Sequence, residues 1–375
     1  MKICVIGGGN IGTAISACFS KNHHDVTIYT PRCAEFCGKL EAIDFESETL
    51  FSTQITATDD LCAAASVADM ICITYPSFMI KDIFENLCNL LKPDAIVGVI
   101  PGTGGVEFFK NILGDHTIFG LDRVPFIARI KEYGKSVYYS KKKSVRIAAL
   151  PGEKTSRICD VFGNALGIEC MPLKNYLTVT FTPSNPIVHT ARTYAMFKDY
   201  KVGIFYSRIF LFYKEWDDRA SKLLLGMDDE LQQVCGALSR HIDLSGVIPL
   251  YEHYESQTVE QLTTKIKNIA TLTKITSPMK EIEDGFVPDF NSRYFIEDIP
   301  YGLTILKGFS EIVGVKTPNM DKVLRWNGEK LGEKYIDDNG KILPESNSIT
   351  PQKFGVNTVQ DIYNLYCGEI ANDKR

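Results

Sequence analysis

No apolar run in this chain of 375 residues approaches the ~18 residues that a membrane-spanning helix needs, so none is expected to cross a bilayer. There is no Cys-x-x-Cys pair among its eleven cysteines, and an odd number cannot all pair with one another. The pattern is not that of a disulfide framework. Cys33 and Cys37 lack a matching His/Cys pair elsewhere, so no metal is expected. Cys4, Cys72 and Cys88 stand in apolar stretches, where cysteine serves as a small hydrophobe in a reducing compartment. Charge of one sign is also lacking. A net charge of −5 gives no reason to expect nucleic acid or an anionic membrane as a partner. The short run Lys141-Lys142-Lys143, flanked by Val137-Tyr138-Tyr139 and Val145-Arg146-Ile147, reads as a solvated hairpin tip. Internal repeats and low-complexity segments are absent. The first residues read as a strand broken by glycine, not as a signal peptide, which with the cysteine usage places the protein in the cytoplasm.

What is there is an ordinary globular composition, 45% hydrophobic and 23% charged, on a chain long enough for about two domains. Its first dozen residues carry the strongest pattern. Ile3–Ile6 is apolar and reads as a buried parallel strand. Gly7, Gly9 and Gly12 follow at G-x-G-x-x-G spacing. Ile11, Ala14, Ile15 and Cys18 then recur on one helical face. Such a motif alone is weak; closing a strand and opening a helix, it points to a dinucleotide. Gly7 permits the tight turn, Gly9 lets backbone approach a pyrophosphate, and Gly12 lets helix and strand pack. The helix N-terminus offers its N–H groups to the anion. Gly7, Gly9, Asn10, Ile11 and Gly12 are therefore the expected cofactor contacts.

Short apolar runs alternate with helical patterns over the first ~170 residues. Strands are expected at Lys2–Ile6, Val26–Thr30, Gln54–Ala57, Met70–Tyr75, Ala95–Ile100 and Thr117–Gly120, with antiparallel strands over Ser136–Leu150 added at an edge. From Pro183 the pattern turns helical. Ala220, Leu223, Leu224, Met227, Leu231, Val234 and Leu238 share one face, and a further helix over Gly302–Val313 stops at Gly314. The expected class is α/β: an N-terminal Rossmann doubly wound parallel sheet followed by an all-α C-terminal domain. The expected boundaries are 1–172 for the dinucleotide domain, 173–330 for the helical substrate domain, and 331–375 for a C-terminal extension packed on the latter.

The residue ending the second strand of such a fold meets the adenine ribose, and an acidic residue there favours NAD. Here the strand ends Ile28-Tyr29-Thr30-Pro31-Arg32, with no carboxylate at its tip. Thr30 and Arg32 suit a 2′-phosphate, which favours NADP over NAD; Glu35, past the turn, is the residue that could swing back for NAD. Pro76 and the loop Pro101-Gly102-Thr103-Gly104-Gly105 follow later strands on the same rim, so Pro76 and Gly102 join the expected cofactor contacts.

Acid–base chemistry must come from the second half. Among six histidines, His23, His24 and His116 lie in turns or loops, and His241 and His253 have no motif around them. His189 stands in Ser184-Asn185-Pro186-Ile187-Val188-His189, where Ser184 or Asn185 could cap a helix. Asn185 and His189 are then one turn apart on a face away from Ile187, Val188 and Ala191. Arg293, Glu297 and Asp298 cluster in an apolar segment that ends Ile299-Pro300-Tyr301-Gly302-Leu303. An arginine fork can bind a carboxylate, and an aspartate can orient a histidine. The aromatic stretch Tyr194, Phe197, Tyr200, Phe205, Tyr206, Phe210, Phe212, Tyr213 and Trp216 reads as helix core.

Together the glycine fingerprint, the Pro101–Gly105 loop, Asn185-x-x-x-His189, the Arg293–Leu303 block and Pro351-Gln352-x-Phe354-Gly355 resemble the opine dehydrogenases, the octopine/nopaline dehydrogenase family. The resemblance implies a helical domain of the 6-phosphogluconate dehydrogenase C-terminal type. It also implies an NAD(P)H-dependent reductive condensation of an amino acid amine with an α-keto acid, often pyruvate, to an N-(carboxyalkyl) amino acid. By the same resemblance His189 is the acid–base residue, Asp298 its partner, Arg293 the clamp on the keto-acid carboxylate, and Asn185 a substrate contact. The chain departs from the family at Ile11 and Thr13 in the glycine loop and at Thr30-Pro31-Arg32. Two other readings stay open: a ketopantoate-reductase-like reductase of a keto or hydroxy acid, and an NADP(H)-binding sensor without turnover. The partners are small molecules; a monomer and a homodimer both stay open.

Overall fold

The computed structural model describes residues 1–182 and 184–368. Pro183, where the helical pattern was expected to begin, and residues 369–375 of the expected C-terminal extension lie outside the described residues. The chain divides into two compact units, residues 1–182 with the stretch from Asn364 on, and residues 183–363.

The strands of the first unit are β1 (Lys2–Ile6), β2 (Asp25–Tyr29), β3 (Lys39–Asp44), β4 (Leu50–Gln54), β5 (Thr56–Thr58), β6 (Met70–Ile73), β7 (Ile96–Val99), β8 (Thr117–Leu121), β9 (Phe126–Glu132), β10 (Ser136–Lys141), β11 (Ser144–Leu150) and β12 (Glu169–Pro172). Eight of them form one sheet in the order β12-β11-β8-β7-β6-β1-β2-β5. Each neighbouring pair is parallel except β11 with β8. Its central strands are buried throughout, Ile3–Ile6 and Met70–Ile73 alike, as a parallel sheet covered on both faces requires. β1 meets β6 in the register Ile3↔Met70 to Ile6↔Ile73, and the helix Asn10–Lys21 leaves from the carboxyl end of β1.

A second sheet, in the order β4-β3-β10-β9, was not legible in the sequence, and it corrects two expectations. β10 and β11 do not pair with each other. β10 joins β9 and β3, while β11 joins β8 and β12. Lys141–Lys143 is thus a crossover between sheets, not a hairpin tip. Lys141 Nζ donates to the Gly167 carbonyl at 2.6 Å, and burial lowers the Lys142 ammonium to about 8. Likewise the single strand expected at Gln54–Ala57 divides at Ile55, with Gln54 in β4 and Thr56 in β5. The period of two in a sequence reports that a segment is a strand; it does not name the partner.

The expected boundary at 172 moves to 182 because the following residues anchor under the first unit. The Tyr176 hydroxyl donates to the Gly102 carbonyl at 3.0 Å, and the Thr180 hydroxyl donates to Glu107 at 2.5 Å. Tyr366 also donates to Glu107, at 2.7 Å. The expected extension 331–375 is therefore shared: residues up to 363 belong to the helical unit, and Tyr366 belongs to the first. Burial pushes the Glu107 carboxyl up.

The second unit is built on the helix Asp218–Leu238, where the Asp217 side chain accepts from Ala220 N at the start. Ala220, Leu223, Leu224, Met227, Leu231, Val234 and Leu238 are all buried. The helices Thr190–Phe197, Thr304–Val313 and Pro318–Leu331 pack around it. Thr304–Val313 ends at Gly314 with φ 72°, the left-handed stop expected of that glycine. The unit also carries a short hairpin, β13 (Met279–Ile282) with β14 (Gly285–Pro288), so it is helical but not purely so. Among the described residues no helix is long and apolar enough to cross a membrane.

Candidate active site

At the glycine loop Gly7 and Gly12 each have a steric reason within the fold, and Gly9 faces open space. Gly7 has φ 116°, a region that side chains rarely adopt. A β-carbon on Gly12 would stand 1.8 Å from the Gly7 carbonyl oxygen, whereas one on Gly9 would meet nothing within 4 Å. Gly9 precedes the helix Asn10–Lys21, which has no side-chain cap and no acidic residue in its first turn. Its free N–H groups face an open approach, the arrangement that suits a pyrophosphate. The Asn10 side chain is committed elsewhere: Ile130 N donates to its Oδ1 at 2.8 Å. Ile11 packs on the core.

The other expected cofactor residues are less uniform. Thr30 is buried, and Arg32 N donates to its hydroxyl at 3.3 Å. Arg32 is spoken for. Its Nε and Nη2 donate to the two Glu35 oxygens at 2.5 and 2.7 Å, and its guanidinium lies 3.6 Å over the Tyr133 ring. Tyr133, absent from the sequence reading, also places its hydroxyl 3.2 Å from that of Thr30. Pro76 is half-buried just before the turn Ser77–Met79. The Gly102 N–H donates to the Leu121 carbonyl at 2.8 Å and its carbonyl accepts from Tyr176. A β-carbon there would stand 2.4 Å from the Gly120 α-carbon. It is a packing glycine, with both polar groups used inside the fold.

In the helical unit the expected α-helical cap at Ser184 or Asn185 is replaced by a wider turn. Ser184–His189 is π-helical and runs into Thr190–Phe197; Ile299–Leu303 is π-helical and runs into Thr304–Val313. Wide turns leave carbonyls without their usual partners. Threonine hydroxyls take them: Thr190 donates to the Pro186 carbonyl at 2.5 Å, and Thr304 donates to the Pro300 carbonyl at 2.9 Å. Such turns recur at functional sites. The two turns touch, with the Pro186 ring over Gly302.

That contact brings His189 and Asp298 together across 109 residues. His189 Nδ1–H donates to Asp298 Oδ2 at 2.8 Å. The carboxylate can only accept, so it fixes Nδ1 as the protonated nitrogen of the neutral ring. The Tyr213 hydroxyl donates to His189 Nε2 at 3.0 Å. Rings wall the imidazole: Tyr294 lies 4.7 Å away, and Phe212 presents its edge at 5.7 Å. The side chains of His189 and Asp298 are 18% and 9% exposed, sheltered yet not sealed.

Arg293 opens the short helix Arg293–Ile296, whose N-terminus the Ser292 hydroxyl caps. Its Nε donates to Glu297, and its side chain is 63% exposed. Its terminal Nη groups make no further hydrogen bond among the described residues, which leaves the end of the fork open to an anion. Asn185 is exposed at the mouth of the first π-turn. The aromatic stretch is core in part and helical only at its start: Phe197, Phe212, Tyr213 and Trp216 are buried and Phe205 is exposed, but only Tyr194 and Phe197 lie in a helix, while Phe205–Trp216 runs through the turns before Asp218. Tyr213 went unnoticed for that reason, although a buried tyrosine hydroxyl always needs a partner.

The profile described as NAD/NADP octopine/nopaline dehydrogenase, alpha-helical domain, matches residues 172–331, and that of the NAD-dependent glycerol-3-phosphate dehydrogenase N-terminus matches residues 2–113. Opine dehydrogenase of Haliotis discus hannai is 30% identical, covering 82% of this chain and 81% of the relative. Octopine dehydrogenase of Mizuhopecten yessoensis is 27% identical, covering 96% and 98%. A solved structure of octopine dehydrogenase with NADH and L-arginine superposes with a TM-score of 0.83 at 26% identity, over 96% of this chain and 97% of that one. The same protein with NADH and pyruvate gives 0.82 at 26% identity, over the same shares. With a dinucleotide-binding sheet, a helical unit and these relatives, the chain belongs to the opine dehydrogenase family: it is an NAD(P)-dependent oxidoreductase acting on CH–NH bonds by reductive condensation.

Proposed function

We propose that His189 and Asp298 are the catalytic pair of this condensation, that Arg293 holds the carboxylate of a pyruvate-like α-keto acid, and that Asn185 helps to place the substrate. The hydrogen bond of 2.8 Å between His189 and Asp298 carries the reading. With Nδ1–H held by a carboxylate, Nε2 is the nitrogen that exchanges a proton, and Asp298 offsets the charge of the imidazolium. His189 Nε2 takes a proton from the substrate ammonium, and the freed amine adds to the keto carbon. The imidazolium then returns that proton to the hydroxyl of the adduct, which leaves as water as the C=N bond forms. The bound dinucleotide supplies the hydride that reduces the resulting C=N bond. Arg293 orients the keto acid end-on through its terminal nitrogens, because Glu297 occupies Nε.

A dinucleotide would be held on the glycine loop, with Gly7, Gly9 and Gly12 shaping the approach and the N–H groups of Ile11 and Gly12 available to phosphate. NADPH is the favoured form. The Arg32–Glu35 pair is exposed and screened by solvent, so a 2′-phosphate dianion would compete with Glu35 for the fork. NADH is accepted with the pair closed. Eleven unpaired thiols suit a cytoplasmic setting.

The test is oxidation of NADPH and of NADH with pyruvate and a panel of amino acids, the product identified by mass spectrometry. Turnover is expected only with both substrates present, and His189→Ala should lower it about 10³-fold, to a residual rate that can still be measured. Reduction of a keto acid with no amine, or intact turnover of His189→Ala, overturns the reading.

A further inference from the structure

Both ring nitrogens of His189 are taken by the protein itself, Nδ1 by Asp298 and Nε2 by the Tyr213 hydroxyl at 3.0 Å. We propose that Tyr213 is a positioning residue of the reaction, holding Nε2 and so the tilt of the imidazole until a substrate oxygen replaces the phenol. The inference rests on the assignment of His189 as the acid–base residue.

The turn that carries Tyr213 has no regular secondary structure, yet it is tied down from every side. Arg192, 3% exposed, reaches from the helix Thr190–Phe197, which His189 precedes. Its Nε donates to the Phe212 carbonyl at 2.9 Å and its Nη2 to the Glu215 carbonyl at 2.6 Å. Phe212 N donates to the Ile275 carbonyl at 2.8 Å. The Glu215 side chain accepts from Leu211 N at 2.9 Å and pairs with Arg208 at 2.8 and 2.9 Å. The Tyr213 ring stacks on Trp216 with an interplanar angle of 8°. The same guanidinium faces Asp217 at 3.9 Å and lies over the Trp216 ring, so one buried cation ties together the residues on either side of Tyr213.

A phenol suits the task because it both donates and accepts. It donates to Nε2 of the neutral ring and accepts from Nε2–H of the imidazolium, so neither charge state of His189 loses its partner. Burial pushes the Tyr213 phenol far up, so it stays an O–H and never competes as an anion. Asp298 fixes one end of the ring and Tyr213 the other, which leaves the imidazole no freedom to rotate about its Cβ–Cγ bond. Orientation of this kind is where a large share of a proton-transfer rate resides.

Tyr213→Phe deletes the hydroxyl and keeps the ring stack. A thermal midpoint and an NAD(P)H affinity near those of the parent show that it is folded. The expected result is a fall in kcat of roughly tenfold, with KM for the cofactor unchanged. The effect should vanish in the His189→Ala background, because a residue acting through His189 has nothing to act on there. Unchanged kcat in Tyr213→Phe overturns the proposal. So does a tenfold loss that persists when His189 is already alanine, which marks a merely structural role. Full turnover of His189→Ala alone removes the acid–base assignment and this proposal with it, whereas loss there with a normal Tyr213→Phe removes only the role of Tyr213.

Discussion

Gly302 lies so close to Pro186 that a β-carbon on it would stand 3.1 Å from the proline ring. Through this contact two π-turns approach each other, and His189 and Asp298 sit at their edges. Gly302→Ala should push the turns apart by a few tenths of an ångström. Small displacements of an acid–base pair are costly, and kcat is expected to fall about fivefold. Steady-state kinetics check this: KM for the dinucleotide should stay put, and an unchanged kcat would show that the turns have slack.

Asp298→Asn keeps the shape and removes the charge. The amide can donate to Nδ1, which moves the imidazole proton to Nε2 in the neutral ring. A loss in kcat of about 10³-fold is expected, with little change in KM. A loss below tenfold would mean that the carboxylate only buttresses the turn.

Arg293→Gln removes the fork and should raise KM for the keto acid about a hundredfold, in line with the loss of a charge-assisted hydrogen bond. KM for the amine should hold. Arg293→Lys is expected to recover part of the deficit, since it keeps the charge but not the planar geometry. Equal effects on both substrates would point away from a carboxylate clamp.

On the proposed reading, Glu35 competes with a 2′-phosphate for Arg32. Glu35→Gln frees the fork and should raise the ratio of kcat/KM for NADPH over NADH about tenfold, while Arg32→Ala should lower it. If the ratio stays constant in both variants, the discrimination lies elsewhere.

Asp228 lies on the buried face of the helix Asp218–Leu238 and accepts from Leu250 N at 2.7 Å. Burial raises its carboxyl from 3.8 to about 6. The folded chain therefore holds this proton more tightly than the unfolded one. Its stabilising contribution is complete below about pH 4 and is lost as pH rises through about 6. Asp228→Asn keeps the acceptor for Leu250 and carries no charge. It should raise the thermal midpoint above pH 6, the gain in stability reaching about 3 kcal/mol for two pKa units, and flatten the slope between. Parallel curves for parent and variant would refute this.

Much of the fold was readable because its rules are local. The strand Lys2–Ile6, the glycine turn and the helix face of Ala220–Leu238 each follow from spacing within one element. The partners of β10 and β11 were not readable, since alternation is silent on which edge a strand joins. Arg32 could be named from the strand end, but its capture by Glu35 and Tyr133 could not. Glu35 is three residues away, within reach on a turn; Tyr133 arrives from the second sheet. His189 and Asp298 could be named by residue type and neighbours. The π geometry that carries them could not, because it arises from two turns pressing together, not from the propensity of either.

The sequence by itself determined the dinucleotide loop. Gly7 answers to its own φ of 116° and Gly12 to a clash with backbone five residues off, and no distant contact can relieve either. It determined the chemistry class as well, through the residue types at 189, 293 and 298. Only the tertiary structure decided what those residues touch. The Asp298 carboxylate lies 109 positions from His189 and the Tyr213 hydroxyl 24. Which nitrogen each one takes depends on packing between segments that share no local pattern, and hydrogen-bond direction is fixed only once both partners are in place.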